Sequence, residues 1–175
     1  MVIKWSTVET PAGPFCAVVD TDGLVLASGW TAWTDDLLPQ VAPSLMFEEL
    51  VQVDDLGPVT KAIIAYHEGD LEAIDDIPVS QHSGPYLQHA WNVLRTVTPG
   101  KLFSYSEFAG LTGKPRAVRA AATACSRNAA ALFVPCHRIV RSDGSVGEFR
   151  WGSDRKKWLL EHERRNSQEL SKGQA

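Results

Sequence analysis

The sequence predicts a small α/β module, a short sheet with one helix, followed by a mostly helical domain containing a helix-turn-helix. Three observations carry that prediction. Short apolar runs separated by Gly, Pro and Asp turns fill the first half. The second half instead repeats its apolar residues every three or four positions. Charge changes sign between the two: residues 1–83 hold two bases against 14 acids, net −12, whereas 84–175 hold 15 bases against seven acids, net +8. A shift of that size reads equally as two modules with different partners, the basic half being a nucleic-acid face, or as a chain balancing its own charge internally. The division is 1–82 for the α/β scaffold module, 83–166 for the helical domain and 167–175 for a polar, disordered tail.

In the first module Val2 to Thr7 is β-rich, and Thr10-Pro11-Ala12-Gly13-Pro14 is a turn. Phe15 to Val19 and Leu24 to Ser28 are apolar strands joined by Asp20-Thr21-Asp22-Gly23, a hairpin signal. Trp30 to Pro43 has no period and reads as a loop. Leu56 to His67 has helical spacing and stops before Gly69, and Ala73 to Val79 reads as a last strand. Nothing before residue 80 looks like a chemical site.

The second module opens at Ser83-Gly84-Pro85, with Ser83 as N-cap and Pro85 in the first helical turn. Tyr86, Leu87, Ala90, Trp91, Leu94 and Val97 form a core stripe. A short helix within Ser104–Gly113 and a second from Arg116 to Arg127 flank a Gly-containing turn, the helix-turn-helix pattern. The second helix is clad in alanine (Ala117, Ala120, Ala121, Ala122, Ala124) with Arg116, Arg119 and Arg127 added. Such a slim helix suits either a buried, Ala-rich packing position or close approach to a backbone or a narrow groove with little base readout, and its arginines favour the second. Asp154 to Glu163 is the closing helix.

The chemistry concentrates in Leu132-Phe133-Val134-Pro135-Cys136-His137-Arg138-Ile139-Val140. A free cysteine is mostly thiol at neutral pH, and a neighbouring imidazolium or guanidinium favours the nucleophilic thiolate. Pro135 fixes the backbone before it. With Cys16, Cys125 and Cys136 there is neither C-x-x-C spacing nor an even count, which points to a reducing, cytoplasmic setting without structural zinc or disulfides. No run of about 18 apolar residues is present for a membrane span.

Tyr105-Ser106, the Arg119 to Asn128 spacing, Pro135-Cys136-His137-Arg138, Phe149-Arg150-Trp151-Gly152 and Leu159-Leu160-Glu161-His162-Glu163 together resemble the O6-alkylguanine-DNA alkyltransferase (methylated-DNA–protein-cysteine methyltransferase) family. The detailed match covers about residues 83–165. Members of that family commonly carry tyrosine where Phe149 stands and glycine or asparagine where Glu148 stands.

The resemblance implies a repair protein that flips an alkylated guanine out of duplex DNA and takes the alkyl group irreversibly onto Cys136, once per molecule. His137 would serve as the base through a water, oriented by Glu163. Asn128 would brace the active turn, and Tyr105 would donate to guanine N3. Arg119 would enter the base stack from the minor groove. Arg116, Ala120, Ala121, Lys114 and Arg127 would lie along the DNA, and Pro135, Ile139, Phe149, Arg150 and Trp151 would line the pocket. No cofactor and no metal are implied. The partner is double-stranded DNA holding O6-alkylguanine, bound by a monomer that can cluster along it. The rival readings are a DNA-binding alkylation sensor and a non-catalytic binder of alkylated bases; a Cys-His hydrolase is weaker, since no acyl-substrate cleft is evident.

Overall fold

The structure, a computed structural model, describes residues 2–45 and 49–173, with the backbone alone over 168–173. The chain divides into two compact units, Met1–Ser83 with Ala129–Phe133, and Gly84–Asn128 with Val134–Ala175. Residues 129–133 thus lie with the first unit, which a contiguous division at 82/83 does not give.

The first unit is a four-stranded sheet with one helix. Strands β1 (Val2–Thr10), β2 (Gly13–Val19), β3 (Val25–Gly29) and β4 (Glu49–Gln52) lie in the order β3-β2-β1-β4, with β1 antiparallel to β2 and parallel to β4. The unbroken apolar run in β2 makes it an interior strand, and Phe15 to Val19 are all buried. Both predicted turns form. Thr10 Oγ1 accepts the Ala12 amide at 3.1 Å while Gly13 takes φ +107°, a conformation free of penalty only without a Cβ. Asp20 Oδ1 accepts the Asp22 and Leu24 amides at 2.9 and 3.0 Å.

Helix α1 (Pro58–His67) buries Val59, Ala62, Ile63 and Tyr66, and His67 fills the core beside Trp30. The loop after Trp30 contains three single turns of 3-10 helix, Thr34–Asp36, Leu38–Gln40 and Pro43–Leu45. The strand expected from Ala73 to Val79 is corrected: Leu71–Ile74 is a 3-10 turn, and one bridge joins Val79 to Val25. Leu71 and Ile74 point inward at a spacing of three, which a strand cannot do. Residues 129–133 are bound in by Ser28, whose amide donates to Ala129 O at 2.8 Å and whose hydroxyl donates to Ala131 O at 2.7 Å.

The second unit is helical around a two-stranded parallel pair. Its elements are α2 (Pro85–Leu94), β5 (Phe103–Ser104), α3 (Tyr105–Leu111), α4 (Val118–Ser126), β6 (Ile139–Val140) and α5 (Ser153–Gly173). The cap of α2 is Gly84 rather than Ser83, with no side-chain cap bond. Ser104 caps α3 in a full capping box with Glu107, both bonds at 3.0 Å. Trp91 is a core residue; its indole N–H donates to Ala124 O at 2.8 Å.

Helix α5 runs on past Glu163, where the disordered tail 167–175 was expected. Asn166 and Ser167 turn their side chains back onto the His162 and Glu163 carbonyls, at 2.8 and 2.5 Å, so polar residues that often end helices stay within this one. Residues 174–175 of that tail lie outside the described residues. No described helix is long and apolar enough to cross a membrane.

Candidate functional site

The site is built on one tight turn. Pro135 has φ −83° and ψ 64°, the inverse γ-turn, and the Cys136 amide donates across it to Val134 O at 2.8 Å. Proline suits that position because its ring already holds φ near this value. A single 3-10 turn, Cys136–Arg138, follows directly and feeds β6. Asn128, just after α4, staples the turn from the side: its Nδ2 donates to Val134 O at 2.8 Å and to Cys136 Sγ at 3.3 Å.

Behind the turn lies a buried ionic cluster. His137, Arg138, Lys156 and Glu163 are each no more than 1% exposed. Arg138 grips Glu163 with two N–H bonds, Nε to Oε1 and Nη2 to Oε2, both 2.9 Å, and its Nη1 donates to Val97 O at 2.6 Å. His137 Nε2 lies 2.8 Å from Glu163 Oε2. Burial alone would raise the Glu163 carboxyl, but His137 and Arg138 outweigh it and hold the group well below the usual carboxylate range.

An ionised Glu163 can only accept, so His137 carries its proton on Nε2. Burial lowers the imidazole below its ordinary value, against the pull of Glu163, and keeps it neutral at pH 7. Its Nδ1 is then a buried lone pair, and no described protein group bonds to it.

The cation beside the thiol is not the one adjacency suggested. The sequence offered the neighbouring imidazolium and guanidinium as stabilisers of the thiolate, but Arg138 is committed to Glu163 and Val97. Burial pushes the Cys136 thiol up, and the Asn128 hydrogen bond and Lys156 pull it back. Lys156 Nζ donates to Ile139 O at 2.7 Å and lies 6.0 Å from the centre of the Tyr105 ring. Burial lowers the Lys156 ammonium from its ordinary value, against the pull of Cys136 and Cys125; while it is charged, Arg138, Lys156 and Glu163 together carry one surplus positive charge, which a Cys136 thiolate neutralises.

Sequence reasoning missed Lys156. Its signal was a lysine sharing the buried stripe of Leu159 and Glu163, at spacings of three and seven.

The remaining residues fall into distinct places. Tyr105 opens α3, where burial and then the Cys125 and Cys136 sulfurs push its hydroxyl up to about 12, so it remains a donor. Lys114, Arg116, Arg119 and Arg127 are exposed on and around α4, and Ala120 is half-buried. Ala121 is corrected: it is fully buried and cannot touch a ligand outside the helix, because with Ala124 it forms the inward stripe of α4. Pro135 and Ile139 are buried; Phe149 and Trp151 are half-buried, with the exposed Arg150 guanidinium 5.1 Å from the Trp151 ring centre. Among the described residues no three His, Cys, Asp or Glu side chains are grouped to share a metal ion.

Comparison with known proteins bears on this geometry. Residues 85–165 match the family model described as 6-O-methylguanine DNA methyltransferase, DNA binding domain. A methylated-DNA–protein-cysteine methyltransferase of Mus musculus is 31% identical over 173 residues, 92% of this chain and 81% of that protein. One of the same name from Shigella flexneri is 28% identical over 158 residues, covering 89% and 92%. The crystal structure of Mycobacterium tuberculosis O6-methylguanine methyltransferase superposes with a TM-score of 0.76 at 25% identity, over 94% of each chain.

Proposed function

The chain belongs to the methylated-DNA–protein-cysteine methyltransferase family, and on that premise we propose that Cys136 is the acceptor to which it transfers the alkyl group of O6-alkylguanine in DNA. The observation that carries the reading is the divided histidine. Its Nε2–H is held by an ionised carboxylate, and its Nδ1 lone pair remains unspent in the same buried turn as the thiol.

A water between Cys136 Sγ and His137 Nδ1 relays the thiol proton to the imidazole. The thiolate attacks the alkyl carbon, an S–C bond forms as the C–O6 bond breaks, and the guanine leaves with its electron pair while Tyr105 donates a hydrogen bond at N3. Glu163 keeps the ring in the useful tautomer, and Lys156 offsets the thiolate charge. The product is a thioether that nothing in the site can hydrolyse, so each molecule acts once.

The target base lies inside a duplex and must be extruded, at a cost of about a few kcal/mol. Helices α3 and α4, joined by a turn in which Gly113 takes φ +86°, form the helix-turn-helix of this reading. The exposed arginines on and beside α4 face the minor groove, and Arg119 fills the vacated stack. The protein acts as a monomer that can cluster on DNA, in the cytoplasm, with the first unit as scaffold.

The test is incubation with a duplex holding one O6-methylguanine, followed by intact-protein mass and peptide mapping. The expected result is a gain of one methylene unit on Cys136, saturating at one per protein and absent in Cys136→Ser. No gain, or a gain on Cys16 or Cys125, would overturn it.

A further inference from the structure

We propose that Arg141 is a positioning residue that pairs with the phosphate of the extruded nucleotide and so favours the flipped state; the inference rests on the alkyl-transfer reading above, which sets Tyr105 at guanine N3. The backbone puts Arg141 beside Tyr105. The parallel pair β5–β6 sets Ser104 opposite Val140, so Tyr105 and Arg141 are the next residues along the chain. The chain then doubles back: the Arg141 amide donates to Ser145 O at 3.0 Å, and the Gly144 amide donates to Arg141 O at 3.0 Å.

That return brings Gly147 against both side chains. A Cβ built on it would lie 3.4 Å from the Tyr105 hydroxyl oxygen and 3.4 Å from Arg141 Cγ. The Arg141 stem and the Tyr105 hydroxyl thus rest against one point of the backbone, with Arg141 exposed and Tyr105 half-buried. Lys156, the other cation at Tyr105, is buried and donates to Ile139 O. Burial and then the Cys125 and Cys136 sulfurs push the Tyr105 hydroxyl up, and Arg141 pulls it down more strongly than Glu148 raises it. Among the described residues no group hydrogen-bonds the Arg141 guanidinium. Asp143, the acid on the same turn, is held by the Ser145 amide and hydroxyl at 2.9 and 2.7 Å.

In guanine, N3 adjoins C4, which is bonded to the N9 that carries the sugar, whereas O6 lies across the ring. A hydroxyl at N3 is therefore on the sugar side, and a cation beside it meets the sugar–phosphate chain rather than the alkyl group. A guanidinium offers a planar fork of N–H donors that matches two phosphate oxygens. Only extrusion carries that base to Tyr105, so the pair forms in the flipped state alone. A contact made in one state shifts the equilibrium toward it. Arg116 and Arg127 would bind any duplex, but Arg141 would be read in the rate at saturating DNA.

The experiment measures single-turnover transfer to Cys136 by mass at saturating duplex, using wild type, Arg141→Ala and Arg141→Lys. Three duplexes of one sequence carry O6-methylguanine: one with natural phosphates, and two with a neutral methylphosphonate on the 5′ or the 3′ side of the lesion. Arg141→Ala should slow the natural duplex about five- to tenfold and Arg141→Lys less, the scale of one charge-assisted contact near the surface. One of the two methylphosphonates should slow wild type by a similar factor and leave Arg141→Ala almost unchanged, since the pair is already lost. Transfer from free O6-benzylguanine, which has no phosphate, should change less than about twofold and also reports that the variants are folded. Losses that multiply at both phosphates, or an equal loss with the free base, would overturn the phosphate pairing while leaving the transfer reading intact. No transfer from the natural duplex to wild type would overturn both.

Discussion

Three histidines are buried among the described residues, His67, His137 and His162, and the first two, one in each unit, are used in opposite ways. His67, in the first unit, spends both ring nitrogens: Nδ1 bonds Ile63 O at 2.7 Å and Nε2 accepts the Trp30 indole N–H at 3.2 Å. It packs edge-on to Tyr66 and Trp30 with ring centroids 5.2 and 6.2 Å apart, as one more aromatic of the core. His137 spends only Nε2, and its partner is a carboxylate that a buried arginine keeps ionised. The difference teaches that burial alone does not make a histidine structural. What matters is whether the second nitrogen already has a partner, because only an unspent lone pair can take a proton.

Replacing each histidine breaks the comparison most sharply. His137→Ala should slow transfer from O6-benzylguanine about 100- to 10,000-fold at pH 7, the range for losing a general base. Burial lowers the His137 pKa, so wild-type activity should persist as pH falls below about 6.5, where an ordinary histidine would become protonated. Burial also raises the Cys136 thiol, so the variant should recover only above its ordinary range of about 8.5. A rate profile over pH 5.5 to 10 checks both limbs. A deficit constant across that range would mean that His137 holds the fold rather than the proton.

Removing the carboxylate that distinguishes His137 tests the same point through stability. Glu163→Gln should cost about 3–5 kcal/mol in urea unfolding at pH 7, since Arg138 is left buried without its counter-charge. The sign with pH follows from the depressed carboxyl. Its contribution is complete above the unfolded value of about 4.3 and is lost as pH falls through the lower folded value. The stability gap between wild type and variant should therefore begin to narrow below about pH 4 and close only as the folded carboxyl itself is protonated; a gap that does not narrow in acid would point to packing instead.

His67→Phe is the counterpart in the first unit. It should cost about 1–3 kcal/mol, because the Trp30 N–H loses its acceptor, while the rate of alkyl transfer to the free base stays within about twofold. A large loss of rate in a folded His67→Phe protein would erase the distinction between the two histidines.

The smallest effect concerns charge left in water. Arg119→Ala should slow repair of a duplex lesion about tenfold but reaction with free O6-benzylguanine hardly at all, since only the duplex needs base extrusion. Single neutralisation of Arg116 or Arg127 should lower the log–log salt slope of DNA binding by about 0.9 each, against no change for Lys61→Ala in the acidic unit. Equal slowing of both substrates by Arg119→Ala would move that residue into the reaction site.

Much of the molecule was determined by local sequence. The turns at Thr10–Gly13 and Asp20–Gly23, the helices from Pro58 and Pro85, and the pair of short helices around Gly113 follow from residues within a few positions of one another, where turn chemistry and helical spacing act. The proposed nucleophile was legible for the same reason: Pro135, Cys136 and His137 are contiguous, and a proline before a cysteine is a backbone constraint that can be read directly. Glu163 was reached through a family resemblance, not from its own surroundings.

The rest was decided by tertiary structure. Arg138 lies two residues from Cys136 in sequence but serves Glu163, because a buried guanidinium goes to the carboxylate that can satisfy its fork, whatever its chain neighbours. Lys156, 20 positions from Cys136, became the cation acting on the thiol because α5 turns that face inward. Ala121 looked like part of a slim outer face and proved to be core, since an all-small helix carries no pattern to say which side is buried. Residues 129–133 joined the first unit through two hydrogen bonds from Ser28, about 100 positions away in the chain. Local propensity acts over a few residues; the partner of a buried charge or of a strand edge is chosen by the whole chain at once.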